Sequence, residues 1–191
     1  MALDNNAVLT AAKGYIFTAP VGTPAPTPAE VAAFTDGSDL TGWDNLGHTA
    51  REELPEFGFD GGDTEPRGTW QAEALKTIVT DPAVDYVTFT AHQFDDQVFE
   101  FYYNSENQSD EEGVFAVNSI NSADQERALL IVIIDGQNKV AFHAQRTSLR
   151  REEAMSLSVD EFAGIPIRAT FLTPEEGFLF SWITGIDSSA S

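Results

Sequence analysis

The sequence predicts a mainly β fold carrying one short α-helix, and three observations predict it. Apolar and polar residues alternate with period two in segment after segment, which is the pattern of a half-buried strand. Phe occurs 14 times, and aromatic side chains pack well on a pleated surface. A single segment, Asp95 to Tyr103, spaces its apolar residues four apart, as a helix does.

Taken in order, Tyr15, Ile16 and Phe17 open the first strand. Residues 21–42, VGTPAPTPAEVAAFTDGSDLTG, read as a long loop from their Pro, Thr and Gly, with a short helical turn at Ala29 to Phe34. A loop of that length inside a domain usually has a task. Order restarts at Trp43 to His48. Leu54, Glu56, Gly58 and Asp60 then alternate with Phe57 and Phe59, and Thr69, Gln71 and Glu73 alternate with Trp70, Ala72 and Ala74. Gly61-Gly62 between these runs reads as a two-residue turn with positive φ, so residues 54–60 and 68–75 are expected to pair as a hairpin with an acidic tip.

Val87, Phe89 and Ala91 face one way in the next strand. Asp95 and Asp96 suit an N-cap and first turn, and the pairs Val98/Tyr102 and Phe99/Tyr103 give the helix its face; the rival is one more strand, Val98 to Tyr102. Leu129 to Ile134, LLIVII, does not alternate and reads as a strand covered on both faces. Half-buried strands follow at Val140/Phe142/Ala144, Met155/Leu157/Val159, Ile165/Ile167/Ala169/Phe171 and Phe178/Phe180/Trp182. One domain over residues 1–191 is expected, with an N-terminal arm of about 12 residues, the 21–42 loop and a polar tail at 185–191.

The formal charge is −21, from 31 acidic and 10 basic residues. Between Lys76 and Arg127 there is no Lys or Arg. Proteins that grip nucleic acid place cations against phosphates, so this balance argues against binding to DNA, RNA or an anionic membrane. Cysteine is absent, which removes disulfides and thiolate chemistry. The N-terminal residues lack a basic region followed by an apolar run, so no signal peptide is expected. No apolar stretch approaches the roughly 18 residues of a membrane span.

Candidate catalytic and metal signatures all have plainer readings. FGFDGGDTEP, residues 57–66, groups Asp60, Asp63 and Glu65 around a glycine pair, but lacks the calcium-loop spacing. His48, His92 and His143 are far apart and sit in no ligand or triad spacing. Adjacent carboxylates such as Asp95-Asp96 and Glu152-Glu153 would point to opposite faces of a strand. The sequence therefore predicts no catalytic, cofactor or metal site.

The order Lys13-Gly-Tyr-Ile-Phe-Thr-Ala-Pro-Val-Gly-Thr23, a Pro/Thr/Ala loop, GWDNLGHT at 42–49 and RGTWQ at 67–71 resembles the major tail proteins of long-tailed, non-contractile bacteriophages, especially those of actinobacterial hosts. The likeness runs from about Lys13 to Ile183. It implies two packed antiparallel sheets, a β-sandwich or barrel with one flanking helix, and no C-terminal immunoglobulin-like domain. It also implies assembly: six copies join inner sheets into a ring, and rings stack head to tail into the tail tube through which double-stranded DNA leaves without specific binding. Tape-measure, terminator and baseplate or distal tail proteins are the other partners it implies, with assembly in the host cytoplasm and no membrane contact. Inter-subunit candidates are then Pro24, Pro26 and Pro28 in the long loop and Phe57, Phe59, Asp60, Gly61, Gly62 and Asp63 in the hairpin. Glu56 and Glu73 are the candidates for an acidic lumen that keeps DNA centred by repulsion. The competing readings are a β-rich carbohydrate-binding or adhesin module using Trp43, Trp70 and Trp182, a tube of a contractile or secretion system, and, last, a hydrolase with a carboxylate site.

Overall fold

The computed structural model describes residues 8–120 and 125–185. The expected N-terminal arm therefore lies partly, and the polar tail almost wholly, outside the described residues. In chain order the elements are β1 (Lys13–Ala19), α1 (Pro28–Ala33), β2 (Asp44–Asn45), β3 (Glu56–Asp60), β4 (Thr64–Thr69), β5 (Ala72–Val79), β6 (Val84–Ala91), α2 (Asp96–Tyr103), β7 (Glu126–Asp135), β8 (Asn138–Arg151), β9 (Ile165–Phe171) and β10 (Ser181–Thr184). One antiparallel sheet of 8 strands runs β2-β1-β7-β8-β9-β6-β3, with β10 attached to β8; β4 and β5 form a second, two-stranded sheet. The fold is thus mainly β, as expected.

β7 lies inside the ladder, between β1 and β8, and its apolar run is covered twice. Leu129 and Ile131 join a cluster with Ile16, Val87, Phe89, Phe142, Ile165, Ile167 and the α2 residues Val98, Phe101 and Tyr102. Leu130, Val132 and Ile134 face the other way, into a cluster with Phe17, Val31, Phe34, Trp43 and Ile183. Each such side chain, fully withdrawn from water, is worth about 1.5–3 kcal/mol. The double cover explains why LLIVII carries no alternation.

β8 bends the sheet. One of its edges pairs with β7 along its length. Its other edge pairs first with β10, over Val140 to His143, and then with β9, over Thr147 to Arg151. That handover lets β9, β6 and β3 fold back over the first cluster. Phe57 of β3 then meets Phe142 of β8 with ring centroids 4.7 Å apart, and Trp182 of β10 at 5.3 Å. The result is two packed antiparallel layers.

Local chemistry sets both helices. Asp95 caps α2 by accepting from the Val98 amide at 2.9 Å, and Asn104 ends it in a left-handed conformation with φ 48. Thr27 caps α1 in a reciprocal capping box with Glu30, and Pro28 fills the first turn. The rival strand reading of 98–102 is excluded by α2.

Three sequence expectations fail. Residues 54–60 and 68–75 do not pair with each other. β3 pairs with β6, Phe57 opposite Val87, whereas β4 pairs with β5 and turns at Trp70-Gln71. Gly61 and Gly62 do have positive φ, 75 and 84, but they turn the chain out of the main sheet into this separate hairpin. Gly62 N donates to Asp81 O, and Thr80 N to Asp63 O, both at 2.9 Å, closing its root. The second failure is Met155 to Val159, which alternates like a strand yet forms only a Ser156–Gly164 bridge. The third is the C-terminal run, which is shorter than expected, since Phe178 and Phe180 lie before β10 and are exposed.

Candidate assembly surfaces

β3, β6, β9 and the C-terminal half of β8 present one face to the first core cluster. Residues directly opposite in an antiparallel ladder share a face, so the register defines the other one. Glu56 lies opposite Thr88, Thr88 opposite Arg168, and Arg168 opposite Arg150; Tyr86 lies opposite Thr170, and Thr170 opposite Ser148. This outer face is polar. The residues packed beneath it are Val87, Phe89, Ile167, Ala169 and Leu149.

Arg168 stands near the centre of the polar face. Its guanidinium lies 3.5 Å over the Tyr86 ring. It pairs with Asp60 at 3.0 Å and Glu152 at 3.2 Å. The second is a charge contact without hydrogen-bond alignment, since Arg168 Nε has no hydrogen-bond partner. Burial on its own would lower the Arg168 pKa, but Tyr86, Glu152 and Asp60 together outweigh it and the net shift is upward. Gly58 makes the cage possible: a Cβ there would come within 2.6 Å of the Tyr86 ring. Glu53 reaches the same face, accepting from the Thr90 hydroxyl at 2.9 Å. Glu53, Glu56, Asp60 and Glu152 outnumber Arg150 and Arg168 here, and the central guanidinium is mostly hidden between two of the acids.

The β4–β5 hairpin is the second surface. Every residue of β4 is exposed, and of β5 only Ala72 and Ile78 are partly covered. Trp70 at its tip is 100% exposed. Arg67 and Lys76 lie opposite each other near that tip, with Arg67 paired to Glu65 at 3.0 Å.

The third is the 21–42 segment. Its proline-rich part lies on β8: Gly22 N donates to Gln145 O at 3.0 Å, and His143 Nε2 lies 3.0 Å from Thr23 O. Burial holds His143 below its ordinary pKa, with the Thr23 carbonyl opposing that shift; the ring is neutral and donates. Ala25, Val31, Phe34 and Leu40 roof the second core cluster. The segment thus has a task inside the subunit.

The predicted site residues therefore separate into groups. Phe57, Phe59, Asp60, Gly61, Gly62 and Asp63 run consecutively from β3 into the root of the hairpin, and Asp60 joins the Arg168 cage. Pro24 and Pro28 are exposed and Pro26 is half-buried in the segment that roofs the other cluster. Glu56 lies on the polar face, whereas Glu73 sits on β5 in the separate hairpin, so the two do not line one strand pair. Trp43 is buried at an edge-on contact with His143, so the three tryptophans form no common platform for a sugar. Sequence reasoning missed Arg168 and Tyr86. The alternation of IPIRATF placed Arg168 on the polar side, and that was the available signal. No group of three or more His, Cys, Asp or Glu placed to hold a metal occurs among the described residues.

A family model described as phage tail tube protein matches residues 1–189. The major tail protein Gp23 of Mycobacterium phage D29 is 45% identical over 189 residues, covering 96% of this chain and 93% of that protein. The major tail protein Gp23 of Mycobacterium phage L5 is 43% identical over 188 residues, with the same two shares.

Proposed function

Because the chain belongs to the phage tail tube protein family, and so is a structural subunit of a phage tail, we propose that six copies close into a ring and that rings stack into the hollow tail tube. Head-to-tail contacts of this heterologous kind continue into an open filament, which a two-fold interface does not. The tube is the conduit for double-stranded DNA during ejection. It is assembled in the host cytoplasm and meets tape-measure, terminator and distal tail proteins in the virion. The residues 1–191 act as one tube domain with no catalytic role.

The observation that carries the stacking is the β4–β5 hairpin. It buries almost nothing within its own subunit and ends on a fully exposed Trp70. A two-stranded ribbon on its own is marginal in water, and an exposed Trp is a common anchor of protein interfaces. The hairpin is therefore the arm that reaches a neighbouring ring, rooted at Phe57, Phe59, Asp60, Gly61, Gly62 and Asp63. Pro24 and Pro28 are exposed and Pro26 half-buried, on a rim that a neighbouring subunit can also meet.

The polar face of β3, β6, β9 and β8 is the wall of the bore. Its acids exceed its bases, and the Asp60 and Glu152 carboxylates screen Arg168 from passing phosphates. Free cations on that wall would bind phosphate and release counterions, which would hold DNA back. Glu56 belongs to this wall, and Glu73 contributes from the arm.

The test is electron microscopy of the purified protein and of a variant in which residues 64–79 are replaced by a short Gly-Ser turn. The parent forms hollow six-fold tubes with Glu56 and Asp60 facing the bore. The variant stops at single rings. A parent that stays monomeric over a wide concentration range overturns the ring reading, and full-length tubes from the variant overturn the role of the arm.

A further inference from the structure

The 154–162 segment is patterned as a strand but forms none: among the described residues Ser156 bridges Gly164, and the backbone bends at 159–161. Its sequence, AMSLSVDEF, alternates apolar Met155, Leu157 and Val159 with Ser156, Ser158 and Asp160. Both ends are tied to the subunit. Met155 packs against the first core cluster, Tyr102 donates to Glu153 O at 2.8 Å, and Ser156 and Gly164 bridge. Among the described residues the apolar side between these ties is open: Leu157 is 79% exposed, Val159 is 99% exposed, and Phe162, whose ring lies 5.7 Å from that of His92, is exposed beside them. Period-two patterning records a face meant for burial, and within one copy that face is bare.

The same chain carries an edge of matching chemistry. Among the described residues β3 ends the ladder of the large sheet and pairs only with β6, so within them one row of its backbone N–H and C=O groups has no strand beside it. Such edges are normally guarded by charged side chains, Pro or a bulge. β3, EFGFD, carries a charge at each end, Glu56 and Asp60, but none over Phe57 to Phe59, no Pro, and its pairing with β6 is regular. Phe59 on this edge is 66% exposed. Phe57 and Phe59 share the apolar side of the strand, and Glu56 and Asp60 share the other.

We infer that residues 155–159 of one copy add to the β3 edge of a second copy as a further strand of its sheet. Leu157 and Val159 then lie beside Phe57 and Phe59. Ser156 and Ser158 fall on the side of Glu56 and Asp60, where their hydroxyls donate to the carboxylates. Electrostatics fits a strand of this composition. Residues 154–159 carry no charge, so they approach an acidic edge in a chain of net charge −21 without repulsion. Backbone hydrogen bonds supply affinity and the alternating side chains supply register, as in other strand additions. Donor and acceptor are different surfaces of one chain, so the contact is heterologous and passes from copy to copy. This inference rests on the proposed ring assembly and names the strand that joins neighbours within it.

The absence of cysteine gives a clean test. Phe59→Cys is combined with Leu157→Cys, which meets it if the added strand is antiparallel, or with Val159→Cys, which meets it if the strand is parallel. Assembled protein is treated with a mild oxidant and run on non-reducing gels, with Phe59→Cys plus Phe178→Cys as the control. One of the two pairs links copies into a ladder of oligomers, and the control does not. In parallel, Leu157→Ser/Val159→Ser raises the protein concentration needed for assembly by about tenfold or more, since two apolar contacts are lost, while the melting temperature of the unassembled subunit is unchanged. Tubes that form normally from the double-Ser variant, or assembled double-Cys proteins that stay unlinked in both pairings, overturn the inference and leave the ring assembly standing. A parent that makes no rings overturns the assembly itself.

Discussion

Phe57 and Phe59 sit two residues apart on one strand, and the structure assigns them different work. Phe57 is 39% exposed and touches Phe142 at 4.7 Å and Trp182 at 5.3 Å between ring centroids. These contacts pin the β3 edge to the opposite layer. A fully buried Phe→Ala change costs about 3–5 kcal/mol. With about three-fifths of the Phe57 surface covered, Phe57→Ala is expected to cost about 2–3 kcal/mol, part of it from the edge-on aromatic pair. Phe59 is 66% exposed, so Phe59→Ala is expected to cost the isolated subunit under about 1 kcal/mol. The assay is urea unfolding of unassembled protein, followed by tryptophan fluorescence and far-ultraviolet circular dichroism. In a domain of this size 1 kcal/mol is about 2–4 °C in Tm, so Phe57→Ala melts about 4–12 °C below the parent. Equal midpoints for the two variants would refute the reasoning, because the folded-over sheet would then not depend on Phe57.

Two more outcomes follow from the 21–42 segment. Thr27→Ala removes the α1 cap and its reciprocal bond to Glu30, and the urea midpoint should fall by the equivalent of about 1 kcal/mol; deleting residues 24–28 should cost more, since it cuts the roof from the second cluster. His143 is neutral and held below its usual pKa of about 6.5 by burial. In the unfolded chain it gains a proton near that value, while in the folded chain it resists. Its contribution to stability is therefore complete above about pH 6.5 and declines as pH falls below it toward the depressed folded value. Between about pH 7.5 and about pH 5.5 the parent should lose more stability than His143→Gln, which keeps a donor for Thr23 but does not titrate. Equal losses would remove His143 from the pH response.

Legibility followed the range of the forces involved. LLIVII, IPIRATF and DDQVFEFYY were readable because burial on one or two faces leaves its period in a handful of neighbouring residues. The helical turn expected at Ala29 to Phe34 falls within one residue of the observed Pro28–Ala33 helix, whose cap of Thr27, Pro28 and Glu30 is local. EFGFDGGDTEP was misread for the opposite reason. Gly61 and Gly62 specify a turn, but residues near in sequence compete for β3 with residues far away. Phe57 finds its burial on β8 and β10, so β3 goes to β6 and the chain beyond Gly62 folds on itself. The Arg168 cage was invisible for the same reason, since Tyr86, Glu152 and Asp60 come from three separate stretches of the chain.

The sequence by itself determined the mainly β class, the helix at Asp95 to Tyr103, the doubly covered strand β7, and the family through residues spread from Lys13 to Ile183. Tertiary structure alone decided which strands pair, that the glycine pair starts a separate arm, and which acids flank the one arginine at the centre of the polar face. It also left Met155 to Val159, a strand by pattern, with no strand beside it. Local periodicity states that a face must be buried; only the folded chain, and here a second copy of it, states against what.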